Sequence, residues 1–171
     1  MGLLEPDGRY RRRDGQAALV AVGRLLGIAR HARPRGPIET VDHVQVTVEE
    51  GVHGDFRGSL KPGRNKRQVT VMSAEGWRDT LHDLGASVPW EQRRVNLLVE
   101  GLTLEETTGA RIIFDSGLVL EVTGECDPCT RMEEIAPGLK AALLPFWRGG
   151  VTTRVIESGP IRVGEQVRIE R

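Results

Sequence analysis

Short apolar runs, each closed by a glycine or a proline, divide this chain into many brief segments. The 171 residues include 21 glycines and 9 prolines, and the runs between them are rich in Val, Ile, Leu and Thr. In one run Val44, Val46 and Val48 alternate with polar residues, the period-two pattern of a strand with one buried face. Many short strands joined by turns are typical of β-sandwiches and barrels.

The positions of these runs and turns predict a mainly β fold, a closed or partly open β-barrel with a few short helices. Dipeptides at 159–160 and 164–165 predict turns. The segments predicted as strands are Val20–Ala29, Val41–Val48, Gln68–Ser73, Val95–Glu100, Arg111–Phe114, Leu118–Thr123, Val151–Glu157 and Gln166–Glu170.

Two segments have helical rather than strand periodicity. Ser73 is a suitable N-cap, apolar residues follow it at spacings of three and four, and Gly85 ends the pattern. A second helix is predicted over Ala136–Leu144, with Pro137 in its first turn. A short helical turn is expected at 130–134.

Composition narrows the class of protein. Lys plus Arg equals Asp plus Glu, 24 against 24, which disfavours a general nucleic-acid binder. No apolar stretch approaches the length of a membrane span. The length suits one domain, which we place at 20–171, preceded by a basic N-terminal tail at 1–19. Only two cysteines are present, and we expect a cytoplasmic protein without nucleic-acid or membrane partners.

Those two cysteines, Cys126 and Cys129, form a Cys-x-x-Cys pair. Such a pair is a redox couple, half of a zinc site, one nucleophile beside a bystander, or two buried inert thiols. The four histidines show no spacing that would complete a zinc site. The polar neighbours of Cys129, among them Asp127 and Arg131, favour a single functional thiol at that position.

A basic loop is the second candidate. Gly58 and Gly63 have the spacing of a phosphate-binding P-loop, but Arg64-Asn65 replaces the Lys-Ser/Thr pair that such a loop requires. Its basic residues are Arg57, Lys61, Arg64, Lys66 and Arg67. On spacing alone they either bind an anion or face solvent.

The third candidate is Arg94 with Asn96. If a strand begins here, the two side chains lie on the same face, where they can bind an anion and the edge of a heterocycle. The alternative is a half-exposed strand whose polar residues face water.

Taken in order, these pieces resemble the MOSC domain family, named after the C-terminal domain of molybdenum-cofactor sulfurases. The chain looks most like the small stand-alone bacterial members. The matching stretches are Gly51-Val52-His53-Gly54-Asp55, Arg67-Gln68-Val69-Thr70, Arg94-Val95-Asn96-Leu97, Gly124-Glu125-Cys126-Asp127-Pro128-Cys129 with Arg131-Met132, and Trp147-Arg148-Gly149-Gly150-Val151. The Pro-Cys after a strand, with Arg-x-Asn upstream, is the specific part.

The resemblance implies a β-barrel that binds molybdenum cofactor (molybdopterin) through one cysteine. It assigns Cys129 both as the catalytic residue and as the metal ligand, a role that suits a soft thiolate. The residues expected to bind the cofactor are Asp55, Arg57, Arg67, Arg94, Asn96, Thr123 and Arg131. We expect the loop Gly51–Arg67 to line the mouth of the site and to become ordered when ligand binds.

Two activities are compatible with this resemblance. The first is reduction of a small N-hydroxylated substrate. The electrons come from a separate reductase, because the chain has only two cysteines where an iron–sulfur cluster commonly uses four. The second is a non-catalytic carrier that receives sulfur from a donor protein and holds it on Cys129 as a persulfide. A binding module without chemistry is a third alternative.

Overall fold

The computed structural model describes residues 21–171 and, before them, three two-residue strands. These are β1 (Leu3–Leu4), β2 (Tyr10–Arg11) and β3 (Ala17–Ala18), which form a small antiparallel sheet. The predicted basic tail at 1–19 lies otherwise outside the described residues, as does the predicted strand start at Val20.

The remaining strands are β4 (Val22–Arg30), β5 (Glu39–Val41), β6 (His43–Thr47), β7 (Gly51–Val52), β8 (Val69–Ser73), β9 (Leu97–Glu100), β10 (Arg111–Phe114), β11 (Val119–Glu125), β12 (Val151–Glu157), β13 (Gly159–Arg162) and β14 (Gln166–Glu170). The α-helices are α1 (Ala74–Leu84), α2 (Arg131–Ile135) and α3 (Leu139–Leu143), and 3-10 turns lie at Trp90–Arg93 and Pro145–Trp147.

Seven strands close into a barrel, which confirms the predicted fold class. Their order is β14-β10-β11-β12-β8-β9-β4, and β14 pairs back onto β4 with Gln166 opposite Arg24. β5 extends the sheet beside β4, and β13, β6 and β7 form a separate antiparallel sheet. Closure leaves no free edge within the ring of seven strands.

Alternation of burial along the strands explains why this sequence forms a closed barrel. Leu25, Ile112, Leu120 and Val167 are almost wholly buried and belong to one continuous apolar cluster inside the ring. Their neighbours along the strands are more exposed, as expected where successive side chains point to opposite faces. The interior is therefore a packed core rather than a channel.

Helix α1 connects β8 to β9, the parallel pair in the barrel. The hydroxyl of Ser73 accepts a hydrogen bond from the Gly76 amide at 3.0 Å, and Gly85 ends the helix in the left-handed region, as predicted. Trp77 on α1 packs with Met72 and Leu139 in a second apolar cluster outside the barrel. None of the helices in the described residues is long and apolar enough to cross a membrane.

Two sequence predictions about local structure are wrong in detail. The helix predicted over Ala136–Leu144 is shorter, because Gly138 adopts φ 84° and α3 begins only after it. Pro160 lies in β13 rather than in a turn. A proline is tolerated there because β13 is an edge strand, where its missing N–H leaves no ladder bond unmade.

Candidate functional site

The loop that carries both cysteines spans residues 126–130 and is called the cysteine loop here. It begins where β11 ends. The pairing of β11 with β12 shifts register between Val122 and Gly124, so the strand bends just before the loop. The Cys126 amide then donates to the Gly150 carbonyl at 2.8 Å, and the Cys126 side chain is buried. Cys129 follows Pro128 and is exposed immediately before α2. The two thiols therefore lie in different environments, one inside the fold and one at its surface.

A cleft of about 80 Å³ opens beside these cysteines. It is lined by His31, Asp55, Arg57, Arg67, Thr70, Arg93, Arg94, Val95, Asn96, Cys126, Cys129, Arg131 and Met132. The residues come from segments far apart in the chain. Only the folded barrel brings them together.

Positive charge dominates the cleft. Five guanidinium groups line it, and Asp55 supplies the one carboxylate among its lining residues. Burial lowers the pKa of Arg94, and the neighbouring Arg131, Arg35 and Arg57 lower it further. Guanidinium groups held close together repel one another, and an anion bound among them relieves that repulsion. The cleft is therefore suited to an anionic ligand.

The carboxylate of Asp55 fixes one wall of the cleft. One oxygen accepts from the His31 amide at 3.1 Å and lies 3.5 Å from Nδ1 of the same residue, and the other accepts from the Arg57 amide at 3.3 Å. Burial lowers the pKa of His31, opposed by Asp55, and the nearby Arg94 and Arg57 lower it as well. His31 is consequently neutral near neutral pH, and Asp55 joins the end of β4 to the loop that carries Arg57.

Arg93 is the buried arginine among the cleft-lining residues, and it ties together two loops. Its Nη2 donates to the carbonyl oxygens of Cys126 and Gly149, both at 2.9 Å, and lies 3.6 Å from the Cys126 sulfur. Arg67 approaches the same sulfur at 3.7 Å. Arg93 is 6% exposed, forms no ion pair with the described residues, and its Nε has no hydrogen-bond partner among them. A buried guanidinium without a carboxylate partner is costly unless an anion compensates it.

Asn96 is buried and already hydrogen-bonded. Its Oδ1 accepts from the Thr70 amide at 3.0 Å and lies 3.2 Å from the Thr70 hydroxyl, while Nδ2 donates to the Ala29 carbonyl at 3.2 Å. These bonds join β8 to β4 through the segment before β9. Asn96 thus holds the wall of the cleft as well as lining it.

The strand-face argument for Arg94 and Asn96 is wrong, although both residues line the cleft. Arg94 follows the 3-10 turn at Trp90–Arg93 with φ 66°, and β9 begins only at Leu97. Its side chain donates to the Gly36 carbonyl at 2.8 Å. A left-handed residue turns the chain, so a two-residue spacing carries no shared face here.

The structure groups all of the predicted site residues but one. Asp55, Arg57, Arg67, Arg94, Asn96, Cys129 and Arg131 line the cleft. Thr123 does not line it, because its hydroxyl donates to the Lys66 carbonyl and pairs with the Thr152 hydroxyl at 2.7 Å.

Sequence reasoning missed His31 and Arg93. His31 follows a strand and precedes a loop rich in glycine, proline and arginine, with no motif to mark it. Arg93 adjoins Arg94 in a run of two arginines, and that doublet was the available signal. Which of the two would be buried depends on the 3-10 turn, which the sequence pattern does not indicate.

Comparison with known proteins places the chain in a family. The sequence model of the MOSC domain matches residues 58–168, well over half of the chain. The chain belongs to the MOSC domain family. This family includes molybdenum-cofactor-binding proteins.

Solved structures of similar fold agree with this assignment. The YuaD protein from Bacillus subtilis superposes with a TM-score of 0.71 at 20% identity, covering 88% of this chain and 96% of its own. YiiM from Geobacillus stearothermophilus gives 0.64 at 16% identity, covering 87% and 75%. YiiM from Escherichia coli gives 0.62 at 15%, covering 86% and 70%. No curated protein sequence matches this chain significantly.

The cleft residues fit part of molybdenum cofactor, the group that some members of the family bind. Five guanidinium groups suit a phosphate, and the exposed thiol of Cys129 is a soft ligand for molybdenum. The orphaned Nε of the buried Arg93 is consistent with an anion nearby. The volume of about 80 Å³ is far below the roughly 300–1,000 Å³ of small-molecule pockets, so the cleft encloses only a phosphate-sized part of a ligand.

Proposed function

We propose that this MOSC domain protein binds molybdenum cofactor through Cys129 and reduces small N-hydroxylated compounds with electrons from a separate reductase in the cytoplasm. One observation carries the proposal: an exposed thiol stands at a cleft whose lining includes five arginines and one carboxylate. An anionic ligand with a soft metal centre satisfies both features.

In this proposal each group of residues has a distinct task. Cys129 ligates the metal, and Arg94 with Arg131 and Arg57 holds the anionic end of the cofactor. When bound, the cofactor would supply the two-electron redox chemistry at a metal that Cys129 would hold. The overall reaction consumes two electrons and two protons, and it converts an N-hydroxyl group into an N–H group and water. Arg93 fixes the loop that carries Cys129 by donating hydrogen bonds to the carbonyl oxygens of Cys126 and Gly149.

The small volume of the cleft favours a second function, that of a persulfide carrier. A persulfide is compact and partly ionised, so a cleft of about 80 Å³ lined by guanidinium groups has room for one beside Cys129. In that case the Cys129 thiolate attacks the outer sulfur of a persulfide on a sulfur-donor protein, which breaks the donor's S–S bond and releases the donor's thiolate. An acceptor thiolate then attacks the outer sulfur on Cys129 and releases the Cys129 thiolate. No metal is required for this transfer.

Analysis of freshly purified protein distinguishes the two functions. The chain is expressed in a host that makes molybdenum cofactor, and molybdenum and pterin are measured per protein molecule. Near-stoichiometric amounts of both support the reductase, provided that Cys129→Ser loses them. A reducible mass increase of about 32 units on Cys129, without metal, supports the carrier. Protein that carries neither the cofactor nor the persulfide contradicts both proposed functions.

A further inference from the structure

A second depression, larger than the cleft, lies beside the basic loop at residues 57–67. It is a groove of about 870 Å³ between the segment 58–66, which we call the basic arm, and strand β12. Apolar residues contribute to its lining: Val48, Leu60, Pro62 and Ile156. Val48 and Leu60 are each 46% exposed. Exposed apolar surface in a concave groove is typical of an interaction site.

The rim of this groove is positively charged. Residues 56–67 contain five Lys or Arg and no Asp or Glu. Lys61, Arg64 and Lys66 form no ion pair with any residue that the structure describes. Glu49 is the one carboxylate among the groove-lining residues, and Arg154 is already paired with Glu121 at 2.6 Å. The unpaired charge favours a partner surface that is acidic.

The basic arm also connects the groove to the cleft. Arg57 and Arg67, which flank the arm, both line the cleft. Asn65 closes the base of the arm by donating to the Arg57 carbonyl at 2.8 Å, and its Oδ1 accepts from the Arg67 amide at 2.9 Å. A partner seated on the arm therefore lies next to the residues that surround Cys129.

We propose that this groove is the docking surface for the reductase that delivers electrons to the cofactor held by Cys129. The inference rests on the proposed function for the identity of this partner, but not for the surface itself. The partner presents an exposed apolar side chain surrounded by acidic residues. The apolar side chain enters the groove beside Leu60, and the acidic residues face Lys61 and Arg64. A nucleic acid matches the charge but has no apolar anchor for the groove.

A peptide probe tests the surface directly. A short fluorescein-labelled peptide carries one leucine flanked on both sides by aspartate and glutamate, and its binding to the full chain is followed by fluorescence anisotropy. We expect saturable binding that weakens with added salt. Leu60→Asp and Arg64→Glu should each weaken it about tenfold or more, equivalent to ~1.4 kcal/mol. Protection in hydrogen exchange should map to 58–66 and 154–156.

Matched variants and probes complete the test. Leu144 is 52% exposed and Arg78 is an exposed arginine on α1, so Leu144→Asp and Arg78→Glu repeat the same changes elsewhere and should leave binding unchanged. Equal losses in these controls overturn the assignment to the groove. The apolar anchor is wrong if a peptide with serine in place of leucine binds as well. Equally tight binding of duplex DNA identifies a general polyanion site instead.

The cofactor analysis described above separates this inference from the proposed function. If the wild-type chain holds no molybdenum, pterin or persulfide but binds the acidic peptide at the groove, the proposed function fails and the docking surface is supported. If Leu60→Asp retains its cofactor while losing the peptide, both are supported. Loss of cofactor in Leu60→Asp, with its melting temperature unchanged, contradicts a surface that is separate from the cleft.

Discussion

Arg93 binds Cys126 through two different groups of that residue. Its Nη2 lies 2.9 Å from the carbonyl oxygen and 3.6 Å from the sulfur, and both residues are buried. The contact orients the cysteine loop from inside the fold. Cys129, three residues further along, is thereby held at the surface of the cleft without being buried itself.

Replacement of Arg93 should therefore destabilise the protein and release the loop. In Arg93→Met the carbonyls of Cys126 and Gly149 lose a charged donor, and we expect the free energy of unfolding to fall by about 2–4 kcal/mol. Urea denaturation measures this change. Arg78→Met, on the exposed face of α1, should cost less than about 0.5 kcal/mol. A similar loss in both variants would show that the Arg93 contact contributes nothing specific.

The two cysteines should respond differently to the same substitution. Cys129→Ser should abolish retention of cofactor or sulfur with little effect on the urea midpoint, because the side chain is exposed. Cys126→Ser should retain the ligand, since its sulfur contacts Arg93 and Arg67 rather than solvent. Equal loss of ligand in the two variants would indicate a dithiol and contradict the single-thiol mechanism.

Arg94 should contribute to ligand binding more than to stability. Arg94→Ala removes one of five guanidinium groups from the cleft, and we expect binding of the anionic ligand to weaken by about 1.5–3 kcal/mol. Arg94→Gly should bind as weakly as Arg94→Ala but be more stable, because φ 66° is strained for any other residue. Isothermal titration with inorganic phosphate gives the affinities, and Arg78→Ala serves as control. Unchanged phosphate affinity in Arg94→Ala would exclude this residue from the anion site.

Stability should depend on pH through His31. Burial lowers the pKa of this residue in the folded state, so below about pH 6.5 the unfolded chain binds the extra proton first. The free energy of unfolding should therefore decrease as the pH falls from about 6.5 toward the folded-state pKa, and level off below it. The slope of unfolding free energy against pH should be smaller in His31→Gln over that interval. Identical slopes would show that His31 does not titrate differently on folding.

Ligand binding should order the residues that flank the basic arm more than the tip of the arm. Arg57 and Arg67 line the cleft, whereas Leu60 and Arg64 line the groove. Added ligand should therefore slow hydrogen exchange at Asp55, Arg57 and 65–67, with smaller changes at the tip. Changes confined to 94–96 and 123–131 would remove the arm from the cofactor site.

Local patterns in the sequence were sufficient for the elements with strong periodicity. The β10, β12 and β14 boundaries were predicted residue for residue, and Ser73 and Gly85 marked both ends of α1. These signals are local because each depends on a few neighbouring residues. The strand β13 was missed because Pro160 is a turn signal in the sequence. A proline is tolerated in an edge strand, but the sequence pattern does not show that β13 is one.

The cleft was harder to predict because its residues meet only through long-range pairing. Cys129 and Arg131 adjoin a recognisable loop, and the family resemblance supplied their context. Arg93 and His31 belong to the same site, but their burial depends on the 3-10 turn and on the end of β4. Thr123 was assigned to the site from its place in the sequence, and a register shift in β11 turned its hydroxyl toward Lys66.

The Gly149-Gly150 turn separates what can change in this cleft from what cannot. A Cβ at Gly149 would meet the Cys126 carbonyl at 2.7 Å, and one at Gly150 would meet the Val71 carbonyl at 2.3 Å. The peptide groups of Cys126 and Val71 therefore leave no room for a side chain at these two positions. The arginines that line the cleft, apart from the buried Arg93, carry no such restriction. Relatives can thus evolve preferences for different anions by replacing one arginine at a time, while the seat of the cysteine loop stays the same.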